Sequence, residues 1–263
     1  MSSFPEKCAY IVTGHSKGLG REVTKALLLR GDTVFGFSRN RMVQVDRISN
    51  LNLLNEHKWD FSQNEFKENL DQIKTDLKQF TNLVFILNAA KNASKTDNAR
   101  NFLEDIVELT QINFINQIRF LHHLVKHINF QSVNCICVGS YSSFIPDNQS
   151  SAGYILSKTL LGDLSAQANF SKVKNLTFKI IYFAGISTTM YDIKEVSTGI
   201  KRNIPSRILS TLLKQSPEKA AAKVLRAIDS KKLAFFSPSY LALPIVFFGG
   251  LRKFYVVVSK FLI

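Results

Sequence analysis

A chain of 263 residues is long enough to bury a large core as a single α/β domain, and nothing in its length requires a second one. Hydrophobic residues make up 45% and charged residues 21%, a globular balance that excludes extended disorder. The formal charge of +14 is uneven: from Lys194 to Ile263 there are thirteen Lys/Arg against three Asp/Glu, interleaved with Phe, Leu and Val. Such interleaving suits an anionic membrane surface better than a groove that tracks phosphates, and no nucleic-acid recognition motif accompanies it. The plainer account is a solvated basic face that promotes solubility.

In chain order, Met1 to Lys7 carries Pro5 and two charges, and the apolar stretch after it stops at Val12 before a glycine loop. It reads as the first core strand and not as a signal peptide. Short β-branched or aromatic runs follow at Thr33 to Phe37, Leu83 to Leu87, Asn134 to Val138 and Thr177 to Phe183, with amphipathic stretches between them. A weaker third strand is expected at Lys58 to Asp60, after a polar loop or short helix over Asn50 to His57. Leu233 to Ser237 suits a last strand. This alternation predicts a parallel sheet with helices on both faces, with ligands at the carboxyl ends of its strands. Cys135 and Cys137, two apart in one strand, point to the same face without bridging, so the three cysteines are expected as reduced thiols in a cytoplasmic protein.

The first strand runs into Thr13-Gly14-His15-Ser16-Lys17-Gly18-Leu19-Gly20, and a helical pattern opens at Arg21. Glycines there let the backbone turn tightly and approach a pyrophosphate, whose charge the helix N-terminus stabilises. The second strand ends in Ser38-Arg39, where an acid would favour NAD and repel the 2′-phosphate of NADP. Arg39 and Lys17 instead suit the 2′-phosphate of NADP, the plainer account of Arg39 being a solvated strand-end charge.

The Thr-Gly-x-x-x-Gly-x-Gly spacing resembles the short-chain dehydrogenase/reductase family, and further marks follow in that family's order. Asn88-Ala89-Ala90 is similar to its Asn-Ala-Gly turn, Asn113 matches its helix asparagine, and Tyr154-Ile-Leu-Ser-Lys158 is its Tyr-x-x-x-Lys signature. Asp60 resembles its adenine-contacting aspartate. Gly185-Ile186-Ser187-Thr188-Thr189 resembles the segment near the nicotinamide, with Thr189 at the carboxamide and Thr188 close behind. The resemblance covers about residues 8 to 190 and departs from the family at Ala90, Ala184 and Tyr141. Tyr141 stands thirteen residues before Tyr154, where the family has its serine. Matching the strand instead selects Ser140, with Ser142 as the alternative.

The resemblance implies a Rossmann-like, doubly wound fold and a carbonyl reductase or alcohol dehydrogenase that uses NADP, most often as a homo-oligomer. Residues 1–190 would form the dinucleotide-binding and catalytic core, 191–232 the substrate loop and helices, and 233–263 the last strand and an apolar basic extension. Its cofactor contacts would be Gly14, Ser16, Lys17, Gly18, Leu19, Gly20, Ser38, Arg39, Asp60, Asn88, Ala89, Tyr154, Lys158, Gly185, Ile186 and Thr189. Tyr154 would be the proton donor, Ser140 would polarise the carbonyl, Lys158 would lower the Tyr154 pKa and hold the ribose, and Asn113 would organise a water leading to solvent. The Tyr/Lys spacing has its own chemical reason: four residues on a helix place both side chains on one face, where an ammonium favours phenolate.

Three readings remain beside this one. The departures admit a non-catalytic NADP-binding sensor or scaffold. His123 and His127 are four apart on a helix, but without a third ligand no metal site is expected. From Leu233 to Leu251 there are nineteen residues without a charge, broken by Pro238, Pro244 and Gly249-Gly250, so the tail is expected at a membrane surface, over a lipophilic substrate, or packed on the domain or a second subunit.

Overall fold

A computed structural model describes residues 7–43, 48, 50–63, 70–93, 98–144, 151–187, 214–243 and 247. Strands β1 (Cys8–Thr13), β2 (Thr33–Ser38), β3 (Leu54–Lys58), β4 (Asn82–Leu87), β5 (Ser132–Ser140) and β6 (Leu176–Phe183) precede two short strands, β7 (Gly185–Ile186) and β8 (Lys214–Gln215), and the last strand, β9 (Ala234–Ser237). Seven of them form one sheet in the order β3-β2-β1-β4-β5-β6-β9, with every neighbouring pair parallel. Among the described residues the helices are α1 (Gly18–Arg30), α2 (Leu70–Leu77), α3 (Ala99–Thr110), α4 (Asn116–His127), α5 (Ala152–Phe170) and α6 (Pro217–Asp229). A π-helical turn over Gln111–Ile115 joins α3 to α4.

The apolar runs are continuous because the sheet is covered on both faces. Ala9, Ile11, Phe35, Phe85 and Cys135 point to the face packed by Leu77, Phe120, Leu124 and Leu161 of α2, α4 and α5. Their strand neighbours Tyr10, Val12, Val34, Val84 and Ile136 point to the face packed by Val23 and Leu27 of α1 and Val224 and Ile228 of α6. The fold is the doubly wound α/β arrangement expected from the sequence.

The third strand is the correction. It begins at Leu54 and not at Lys58, and the preceding segment contains a 3-10 turn at Leu51–Leu53. β3 lies at one edge of the sheet and, among the described residues, pairs only with β2, so Leu-Asn-Glu-His-Lys needs no continuous apolar run to form it. The Trp59 N–H still donates to Ser38 O at 2.9 Å, which carries Asp60 to the carboxyl end of the sheet.

Helix ends follow their sequence signals. Gly31 closes α1 in the left-handed region (φ 88°), Ser151 caps α5 by accepting from the Tyr154 N–H, and Ser216 caps α6 ahead of Pro217. Cys8, Cys135 and Cys137 are free thiols, and burial pushes Cys137 up to about 12. Among the described residues no helix is long and apolar enough to cross a membrane. Most of the tail expectation, residues 244–246 and 248–263, lies outside them.

Candidate active site

The strands deliver their carboxyl ends to one cleft of about 500 Å³. At its centre Gly14 (φ 68°) turns the chain out of β1, and its N–H donates to Phe37 O at 2.7 Å. A Cβ on Gly20 would stand 2.1 Å from Gly14 O, so the first turn of α1 presses directly on the loop. No side chain caps the start of α1 and its first turn carries no acid, so its end amides suit an anionic group. Across the loop, Asn88 Nδ2 donates to Thr13 O at 2.9 Å and Gly14 O at 3.3 Å, while the Asn88 and Ala89 N–H groups both donate to Thr13 Oγ1 at 2.9 Å.

One end of the cleft is walled by Ser38, Arg39, Asn40, Trp59, Asp60 and Phe61. Arg39 is exposed, whereas the Ser38 hydroxyl is turned away to donate to Asn40 O at 2.5 Å. Asp60 Oδ1 accepts from the Ser62 N–H, and Asn116 Nδ2 fixes the same loop by donating to Phe61 O at 2.8 Å and Gln63 O at 3.1 Å.

Elsewhere the wall is formed by Ser140, Tyr154 and Lys158. Ser140 ends β5 and Tyr154 lies in the first turn of α5. The buried Lys158 Nζ donates to Val138 O at 2.8 Å and stands 5.7 Å from the centre of the Tyr154 ring. Burial lowers its pKa from 10.5 to about 8. Ser142 is buried off the cleft wall, and its hydroxyl and N–H both donate to Ser140 Oγ, at 2.8 and 3.2 Å. Tyr141 is turned aside: its hydroxyl donates to Pro238 O at 2.5 Å, and burial pushes its pKa up to about 12.

Of the residues named from the sequence, Gly14, Ser16, Lys17, Gly18, Leu19, Ser38, Arg39, Asp60, Asn88, Ala89, Ser140, Tyr154, Lys158, Gly185 and Ile186 line this one cleft. Gly20 and Asn113 do not; Gly20 packs behind the loop and Asn113 is fully buried in the π-helical turn. Thr188, Thr189 and most of the expected substrate loop lie outside the described residues. The His123 and His127 rings are 4.6 Å apart, and no group of three metal-ligating side chains occurs among the described residues.

Two sets of residues escaped the sequence reading. His15 is fully buried, with Nε2 2.8 Å from Glu56 Oε1, which also accepts from the Met42 N–H at 2.7 Å. This pair ties the glycine loop to the segment after Arg39, and Glu56 falls in the stretch expected as a polar loop or short helix. Gln117 and Asn116, on α4, carry no signal in a single sequence beyond their helical spacing from Asn113.

No family model matches the chain, and no curated protein does. Solved structures do. A short-chain dehydrogenase from Streptomyces avermitilis shares 20% identity, with 99% of each chain covered and a TM-score of 0.68. One from Sphingobium yanoikuyae in complex with NADPH shares 16%, covering 95% of this chain and 94% of that one, at a TM-score of 0.69. A 4-hydroxyisoleucine dehydrogenase complexed with NADH shares 17%, covering 87% and 96%, at 0.66. At these identities the likeness is one of architecture, and the chain has the fold of the short-chain dehydrogenases.

Proposed function

We propose that the chain is an oxidoreductase that uses NADP(H) to interconvert a ketone or aldehyde and its alcohol. The observation that carries this reading is that Ser140, Tyr154 and Lys158 line the same cleft as the glycine loop. The glycine loop, the uncapped start of α1 and a cleft lined from Arg39 and Asp60 through to Tyr154 and Lys158 suit a dinucleotide. When bound, the reduced nicotinamide supplies a hydride to the carbonyl carbon.

The chain's own groups manage the oxygen and its proton. Ser140 Oγ accepts two hydrogen bonds from Ser142, which leaves its proton to be directed to the carbonyl oxygen. Tyr154 donates a proton to that oxygen, and Lys158 beside it favours the phenolate left behind. Lys17 and Arg39 favour a 2′-phosphate, since no acid among the described cleft residues stands at the end of β2. The departures support the enzyme reading over a sensor: Tyr141 is turned out of the way, and Ala184 keeps its backbone bond to Ser237 O at 3.0 Å.

Homo-oligomer formation belongs to this proposal, supported by Leu103 and Val107, four apart on α3 and 61% and 70% exposed. A peripheral membrane contact through the basic, apolar tail is supported by sequence and by the exposure of Tyr240 and Leu243. The test is NADPH oxidation by the full chain over a panel of aldehydes and ketones. Turnover that Tyr154→Phe abolishes supports the reading; no turnover with any member, or full turnover by Tyr154→Phe, overturns it.

A further inference from the structure

Gln117 lies in the first turn of α4, away from the cleft wall and fully buried. Its Oε1 accepts from the Thr13 hydroxyl at 2.7 Å, and its Nε2 donates to Ala89 O at 2.9 Å and Asn113 O at 2.8 Å, with Ile112 O further off at 3.4 Å. The orientation of the amide is unambiguous, because Ala89 O and Asn113 O can only accept and must face its N–H groups. Both amide protons and the amide oxygen are therefore used.

The partners are the junctions of the site. Thr13 precedes Gly14 and receives the Asn88 and Ala89 N–H groups, so Gln117 closes the connection between β1 and the turn after β4. The π-helical turn interrupts the helical bonding around Asn113, and Gln117 satisfies the Asn113 carbonyl there. Asn113 Nδ2 in turn donates to Ser157 Oγ at 3.1 Å and to Lys91 O, and the Ser157 hydroxyl donates to Tyr154 O at 2.8 Å. Thr13, Gln117, Asn113 and Ser157 are each fully buried. A continuous chain of hydrogen bonds thus runs from the glycine loop to the backbone of the proposed acid.

Resting on the proposed oxidoreductase reading, we infer that Gln117 is a positioning residue that holds the Tyr154 helix in register with the dinucleotide loop. It touches no reacting atom. Its effect should therefore fall on the reaction step more than on cofactor binding, since small misplacements of reacting groups cost rate steeply. Its hydrogen-bond partners, Thr13, Ala89, Ile112 and Asn113, carry no titratable side chain.

The test uses the full chain with NADPH and whichever carbonyl of the panel it reduces fastest. Gln117→Leu should lower kcat by about tenfold or more while changing the NADPH dissociation constant by less than about threefold. Gln117→Glu keeps the shape and supplies a second readout. As a neutral acid it can accept from Thr13 and donate to one carbonyl, but as a carboxylate it faces two carbonyl oxygens, so its kcat should recover at acid pH and fall as pH rises, relative to the unmodified chain. If Gln117→Leu does not fold, the pH profile of Gln117→Glu decides. An unmodified chain that turns over, with a kcat insensitive to Gln117→Leu or a Gln117→Glu profile parallel to its own, overturns the inference alone; an unmodified chain without turnover overturns the oxidoreductase reading and this inference with it.

Discussion

Lys158 Nζ donates to the carbonyl oxygen of Val138 at 2.8 Å, from a side chain buried beneath the cleft. A single carbonyl is poor compensation for an ammonium removed from water, and burial lowers its pKa to about 8. The unfolded chain binds the lysine proton up to its ordinary 10.5, so it holds more protons than the folded chain between about 8 and 10.5. The resulting penalty is fully present below about 8 and fades as pH rises through that window. Holding the cation there costs the fold about 3 kcal/mol at pH 7. Lys158→Met should accordingly raise the free energy of unfolding at pH 7 by about 1–3 kcal/mol, lose that gain towards pH 10.5 and remove turnover. Denaturant titrations of the cofactor-free chain at both pH values check it, and a loss of stability at pH 7 would contradict the account.

Ser140 and Ser142 should separate by function. Both donors of Ser142 are directed at Ser140 Oγ, and only Ser140 lines the cleft. Ser140→Ala is expected to lower kcat/KM by about 10²-fold or more, in line with loss of a donor to a developing oxyanion. Ser142→Ala removes an orienting bond only and is expected to cost about tenfold or less. Steady-state kinetics of the two variants, run side by side, would refute the assignment if their order were reversed.

Arg39 is the exposed cation at the end of β2, and no carboxylate is bonded to it among the described residues. Arg39→Asp should weaken NADPH by about 10- to 100-fold, the worth of a charge-assisted hydrogen bond, while leaving NADH nearly unchanged or tighter. Fluorescence titrations with both cofactors measure the ratio. Equal weakening of the two would show that Arg39 does not meet the 2′-phosphate.

The parts of the fold legible from sequence were those whose cause is local. β1, β2, β4, β5 and β6 are apolar on both faces, so their runs announce themselves, and the glycine loop and Tyr154/Lys158 pair have fixed spacings. β3 was misplaced because an edge strand with one partner tolerates Asn55, Glu56 and Lys58. Ser140 and Ser142 could not be separated by counting residues, since the difference is which hydroxyl the end of β5 turns to the cleft. Gln117 and the His15–Glu56 pair were invisible for a related reason. Their meaning lies in contacts across 104 and 41 residues of chain, which no local pattern encodes.

That His15–Glu56 pair depends on Gly36. A Cβ at Gly36 would meet the His15 ring at 2.5 Å, and the ring is itself fully buried and held to Glu56. Among the described residues His15 Nδ1 has no hydrogen-bond partner, so the contact of Nε2 with Glu56 is the ring's polar anchor. Gly36→Ala forces the ring out, breaks the link to Glu56 and Met42, and should cost about 1–3 kcal/mol of stability. It should also loosen NADPH, because the same pair braces the glycine loop and the segment after Arg39. The cause can be isolated with a double variant. His15→Ala alone should destabilise, but Gly36→Ala added to it should cost much less than in the unmodified chain, since the colliding ring is gone. A thermodynamic cycle over the four proteins measures that difference, and a coupling below about 0.5 kcal/mol would show that the two positions act independently.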